Sequence, residues 1–168
     1  MIATTREERR WFLRTVAMGL LNSAGHTQPP IQVEEMLKHP PQVYDTDFGV
    51  VDMYSNLWDA TFARPPSKRG SVFVRIDLPP AQRRYALARE MLSALITSDH
   101  GRQMGLESLF LDDIQDAAEY FARAILAPET MVEAYRQQGG GSSMFAKEFG
   151  LPEDIAELCW TEHCAFND

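Results

Sequence analysis

Glu90 stands in the run Arg89-Glu90-Met91-Leu92-Ser93, one residue after a cation and three before a hydroxyl. On a helix the first and fifth residues of such a run share a face, and the second lies beside them. With histidine at the first and fifth places, that arrangement holds a zinc ion while the glutamate takes a proton from metal-bound water. Here the two places carry arginine and serine, so the carboxylate remains without the imidazoles. Other chemistry-bearing residues are His100, which follows this run in Ser98-Asp99-His100-Gly101, and Cys159 with His163 four residues on. A helix-end or loop position suits His100, as it does His26 and His39. Cys159 and His163 share a helical face, but two ligands are too few for a metal: Cys159 is expected to pack and His163 to be wet near the C-terminus.

The flanking residues extend the pattern. Arg84-Tyr85-Ala86-Leu87-Ala88-Arg89-Glu90 resembles the R-F-T-L-A-H-E lead-in of the bacterial ImmA/IrrE family of zincin-like metallopeptidases. Asp116-Ala117-Ala118-Glu119-Tyr120-Phe121-Ala122-Arg123-Ala124-Ile125-Leu126-Ala127-Pro128 is similar to that family's second block, roughly E-A-N-x-F-A-A-E-L-L-M-P. The blocks come in the family's order and approximate separation, and the likeness runs from about Ser71 to Trp160. Before that it rests on Pro29-Pro30-Ile31-Gln32-Val33-Glu34. The resemblance implies an α+β fold, mostly helical, with a small β-sheet preceding the motif helix. It implies one domain over residues 1–168, with 1–40 an N-terminal helical part and 142–168 a C-terminal helical pair. It also assigns the positions: Arg89 and Ser93 replace the metal-binding histidines, Ala117 replaces the third ligand with Asp116 one place earlier, and Glu90 keeps the general-base position.

Chemistry then decides what those replacements do. A catalytic zinc takes about three Cys, His, Asp or Glu ligands from the protein. Arginine offers no lone pair and adds a positive charge. A unit charge about 5 Å from a divalent ion, at an effective dielectric of about 20, costs on the order of 7 kcal/mol. Changes outside the ligand set already weaken metal sites ~10–100-fold, so zinc is predicted absent. Without zinc the water keeps its pKa of about 15.7 rather than about 7. That difference, on the order of 12 kcal/mol, is beyond a lone glutamate. The reading is a pseudo-peptidase: a regulatory or protein-interaction scaffold that binds a repressor or peptide without cleaving it. Active family members are commonly encoded beside helix-turn-helix repressors and cleave them, which suggests such a regulator as partner. The alternative is a metal-dependent endopeptidase with relocated ligands, drawing on Glu90, Asp116 and His100 or a partner-supplied group.

Asp116 tests that alternative. Ile114, Ala117, Ala118, Phe121, Ala122, Ile125 and Leu126 form an apolar stripe at helical spacing. Asp116 is rotated about 100° from Ala117, on the flank with Tyr120 and Arg123. A pairing of Arg89 with Asp116 or Glu90 would turn a metal site into an ion pair.

The remaining elements position these residues. Thr5 and Glu8 form a capping box for a helix to about Asn22 carrying Phe12, Leu13, Val16, Leu20 and Leu21. Arg6 to Arg10 before Trp11-Phe12-Leu13 imitates a signal peptide, but Arg14 breaks the apolar run, so a helix is expected. A short helix follows Pro29-Pro30 and runs through Leu37. Residues 39–70 offer β-like pieces at Gly49 to Val51 and Leu57 to Phe62. The acidic and aromatic stretch from Tyr44 to Phe62 is the place to look for partner specificity. A strand from Ser71 to Asp77 leads to Pro79-Pro80 and the motif helix, whose buried stripe is Ala88, Met91, Leu92, Leu95 and Ile96. Asp112 or Asp113 caps the next helix. Trp11, Trp58 and Trp160 are expected to anchor cores.

The 168 residues are 45% hydrophobic, enough for one domain with a core. A net charge of −8 and a pI near 5.0 argue against nucleic acid or anionic membrane as partner. There is no run of about eighteen apolar residues to span a bilayer. Cys159 and Cys164 point apart on a helix, which fits free thiols in a reducing cytoplasm. The tail has a helix, glycine turn, helix rhythm, yet from Ser142 onward Lys147 is the one Lys or Arg against Glu148, Glu153, Asp154, Glu157, Glu162 and Asp168. Such a segment repels a duplex.

Overall fold

The computed structural model describes residues 4–110 and 112–165. The first helix, α1, spans Arg6–Ala24 and starts at the expected capping box. The Thr5 hydroxyl accepts the Glu8 amide at 3.2 Å, and the Glu8 carboxylate accepts the Thr5 amide at 2.6 Å. It runs two residues past Asn22 because Gly25, with φ of 73°, supplies the left-handed stop. Leu13, Ala17, Leu20 and Leu21 form its buried face. A short α2, Val33–Lys38, follows.

The β-like pieces condense into two short strands, β1 (Val50–Met53) and β2 (Ala60–Ala63), around a central β3 (Ser71–Arg75). The order is β1-β3-β2, with β1 parallel and β2 antiparallel to β3. Val72 and Val74 alternate inward along β3 as the pleat requires. Regular pairing stops two residues short of Asp77, although the Ile76 amide still donates to the Met53 carbonyl.

Pro80 opens α3, Pro80–Thr97, in the first turn, where a missing N–H gives up no helical bond. Ala88, Met91, Leu92, Leu95 and Ile96 are buried as the stripe predicts. Two short helices, α4 (Asp99–Gln103) and α5 (Leu106–Phe110), turn the chain. They lead to α6 (Ile114–Leu126), α7 (Glu129–Gln137), α8 (Ser142–Phe149) and α9 (Glu153–Ala165). The helix α3 packs on α6 on one side and on β2 and β3 on the other, and α6 packs in turn on α1. The fold is therefore α+β, mostly helical, with its small sheet directly before α3.

Several local expectations change in the folded chain. Trp11 and Trp58 are 60% and 59% exposed and anchor no core, whereas Trp160 packs 5.3 Å from the Phe145 ring. Ile114 is exposed because the stripe meets its neighbours only from Ala117 onward. Asp113 holds the N-cap place of α6, but its carboxylate makes no capping bond. Gly139-Gly140-Gly141 connects α7 to α8, and the Tyr135 hydroxyl donates to the Gly141 carbonyl at 2.9 Å. The tail does form two helices about the left-handed Gly150. Among the described residues no helix is long and apolar enough to cross a membrane.

Arg83 on α3 ties α2 and β1 to the motif helix. Its guanidinium forks onto Glu34 with two bonds of 3.0 Å and reaches Asp52 at 2.8 Å. Those bonds, reinforced by Lys38, hold the Glu34 carboxyl down at about 2 against the opposing effect of partial burial. A depressed carboxyl pKa stabilises the fold above the ordinary value near 4.5, and that contribution is lost as pH falls toward 2. Arg83→Gln should return Glu34 toward its ordinary value and flatten this part of the acid limb. Carboxyl-carbon NMR titration with acid unfolding curves checks both outcomes.

Candidate functional site

Arg89, Glu90 and Ser93 lie on α3 and are each partly buried, while Ala117 on α6 is in the core at 6% exposure. The expected ion pair between Arg89 and a carboxylate is not formed: among the described residues Arg89 makes no ion pair or hydrogen bond. Asp116 instead pairs with Arg6 of α1 at 3.0 Å, because its flank of α6 is the one turned toward α1. Arg89 still acts on its neighbour through its charge, which favours the ionised form of Glu90.

Glu90 is held by the sheet. The Arg75 amide donates to the Asp59 carbonyl, so the pairs that exchange ladder bonds are Asp59–Arg75, Thr61–Phe73 and Ala63–Ser71. The Phe62 amide between them points away from β3, along the free edge of β2. The Glu90 carboxylate accepts it at 3.1 Å. One strand end further on, Arg64 repeats the attachment. Its guanidinium bonds the buried Asp47 and reaches the Thr97 hydroxyl at 3.3 Å, and Thr97 donates to the Ser93 carbonyl at 2.8 Å. The open edge of β2 is thus fastened to the motif helix at Glu90 and again at Thr97.

Burial pushes the Glu90 carboxyl above the usual range, against the opposing pulls of the Arg89 charge and the Phe62 amide. A base at this position would hold its proton more tightly than an ordinary glutamate.

The arrangement does not fit the zinc that the resemblance implies. The donor places hold Arg89, Ser93 and Ala117, Glu90 is engaged by an amide, and Asp116 is engaged by a guanidinium. Among the described residues no three or more His, Cys, Asp or Glu side chains are grouped to hold a metal. His100 lies on α4, with its Nδ1 2.8 Å from the Tyr44 hydroxyl and the two rings 5.5 Å apart. Cys159 is buried, and burial pushes its thiol up to about 12, so it remains protonated at neutral pH. His163 is partly buried, with Nε2 3.4 Å from the Ala127 carbonyl. Neither cysteine is in a disulfide.

A cavity of about 960 Å³ lies elsewhere, between α1, α6, α9 and the start of α7. None of Arg89, Glu90, Ser93 or Ala117 lines it. Trp11, Tyr120 and Arg10 do, together with Gly19 in the middle of α1. No residue of α3 lines this cavity. Its signals are a glycine inside a helix and two arginines, Arg10 and Arg14, at i and i+4 beside a tryptophan.

No protein-family model matches the chain, and no curated protein is detectably similar to it. Eight chains among solved structures match. One of them is a Mycobacterium tuberculosis transcriptional regulator, superposing with a TM-score of 0.61 at 19% identity. The match covers 92% of this chain and 50% of that one, so the chain spans about half the length of that structure. At this identity the likeness shows a shared fold.

A carboxyl whose folded pKa is raised stabilises the fold below its ordinary value, and that contribution is lost as pH rises through the folded value. Ionised Glu90 therefore weakens the fold at neutral pH. Glu90→Gln keeps an acceptor for Phe62 and should raise stability at pH 7 while leaving it nearly unchanged at pH 4. Glu90→Ala, which strands the amide, should be about 1–2 kcal/mol less stable than Glu90→Gln. Urea unfolding at the two pH values measures both differences.

Proposed function

We propose that this chain is a non-catalytic regulatory domain on an ImmA/IrrE-like scaffold that binds a protein or peptide without cutting it. The bond from the Phe62 amide to Glu90 carries this reading. The side chain that a peptidase would aim at water here holds the edge of the sheet, beside positions where metal ligands are replaced by a cation, a hydroxyl and a methyl group. A general base must reach the proton that it abstracts. Glu90 accepts a backbone proton that it has no chemistry to remove.

A partner has a surface to meet. Tyr54, Leu57 and Trp58, in the connection between β1 and β2, are 91%, 79% and 59% exposed. Aromatic side chains such as Tyr54 and Trp58 supply much of the energy of protein interfaces. They fall within the Tyr44 to Phe62 stretch that the sequence singles out. The fold shared with a protein described as a transcriptional regulator supports a regulatory setting, and a helix-turn-helix regulator suits as partner. The acidic tail, with Lys147 its one Lys or Arg, favours contact with that protein over contact with its DNA. Free thiols at Cys159 and Cys164 suit the cytoplasm.

Zinc titration tests the reading. The purified chain should carry far less than one zinc per molecule, and its unfolding temperature should not move when zinc is added. A folded variant with Arg89→His, Ser93→His and Ala117→Glu should bind one zinc and gain about 2.7 kcal/mol at a hundredfold excess over its dissociation constant. One zinc per unmodified chain, with metal-dependent cleavage of a protein substrate, would contradict the proposal.

A further inference from the structure

The cavity between α1, α6 and α9 has a charge and shape that the protein interaction leaves unused. At about 960 Å³ it sits at the upper end of the range for small-molecule sites. Tyr120 stands in its wall among three guanidiniums. Arg10 lies over the ring with Cζ 4.6 Å from the centroid, Arg123 approaches at 5.6 Å, and Arg14 donates to the phenol oxygen at 2.6 Å. Two of these cations are neutralised: Arg14 by Glu7 at 2.9 Å and Arg123 by Glu162 at 2.9 Å. The remaining acid of the wall, Glu129, is exposed in the first turn of α7. Arg10 makes no ion pair among the described residues, and its Nε is buried without an acceptor. An unmet guanidinium donor in a sheltered place is costly, and a carboxylate satisfies it with two parallel bonds.

Gly19 adds an independent sign. It lies inside α1 with no positive φ, and a Cβ built there meets nothing within 4 Å. Neither backbone conformation nor packing requires glycine, which weakens a helix interior relative to almost any other residue. Gly19 is exposed and lines the cavity, so its missing side chain keeps that side open. Trp11, 60% exposed on the same wall, offers a flat apolar face.

We propose that this cavity binds a small organic carboxylate with a flat apolar body, its carboxylate on Arg10 and its body against Trp11. A single guanidinium without an ion pair suits a monoanion. In a chain of net charge −8, such a ligand needs this local positive centre. The inference is separate from the reading of Glu90, since the cavity shares no residue with that site.

Matched probes test it on the full chain: 1-naphthoate and its neutral amide, followed by calorimetry and tryptophan fluorescence. The acid should bind one per chain and saturably, with the amide weaker by about tenfold or more. Arg10→Gln should abolish that preference. Gly19→Leu should block both probes while unfolding at no lower a temperature than the parent, so that lost binding is not lost folding. Absence of saturable naphthoate binding, equal affinity for acid and amide, or binding undiminished in Gly19→Leu would each overturn the proposal.

Discussion

The Phe62 amide faces outward from the sheet, and an outward amide on an edge strand is either wet, joined by another strand, or claimed by the protein itself. Glu90 claims it. That bond fixes three things at once: where β2 lies against α3, which way the Glu90 carboxylate points, and how much of the strand edge is left to receive a peptide. Arg64, bridging Asp47 and Thr97, makes the attachment two-pointed, so the strand cannot swing about a single contact. Arg89 completes the electrostatics without touching either partner. Its charge favours the carboxylate form that burial opposes.

The helices around this contact are arranged by ordinary burial. The stripe of α3 is covered on one side by α6 and on the other by the sheet, which leaves Arg89, Glu90 and Ser93 partly buried at the margin. The other flank of α6 belongs to α1, and it holds Asp116, Tyr120 and Arg123 among arginines of that helix. One helix therefore separates two different environments. Toward α3 it is apolar at Ala117 and Phe121, while toward α1 it is charged and opens into a cavity. A ligand in that cavity would press on the α1–α6 packing.

Elements whose signal is local were legible in the sequence. The Thr5–Glu8 capping box, the α3 and α6 stripes and the sideways placement of Asp116 follow from spacing within one helix. What escaped depends on contacts between distant residues. The Phe62–Glu90 bond joins residues 28 apart, and the Arg6–Asp116 pair joins residues 110 apart. Strands of four residues carry too little alternation to reveal their edges, so which amide of β2 would be free could not be read. Trp11 and Trp58 looked like core anchors because their size favours burial, yet one borders a cavity and the other a connecting loop. The same dependence on distant partners hid the want of an ion pair at Arg10, which emerges only once Glu7 and Glu162 are seen to be taken.

Residue-resolved hydrogen exchange of the Phe62 amide tests the central interaction most directly. With Glu90 as its acceptor, the amide should exchange slowly at neutral pH although it faces the open edge of the sheet, and Glu90→Ala should accelerate it while the Phe73 amide of β3 keeps its protection. Exchange of Phe62 at the rate of an unprotected edge amide in the unmodified chain would contradict the account, because Glu90 would then be free for other work.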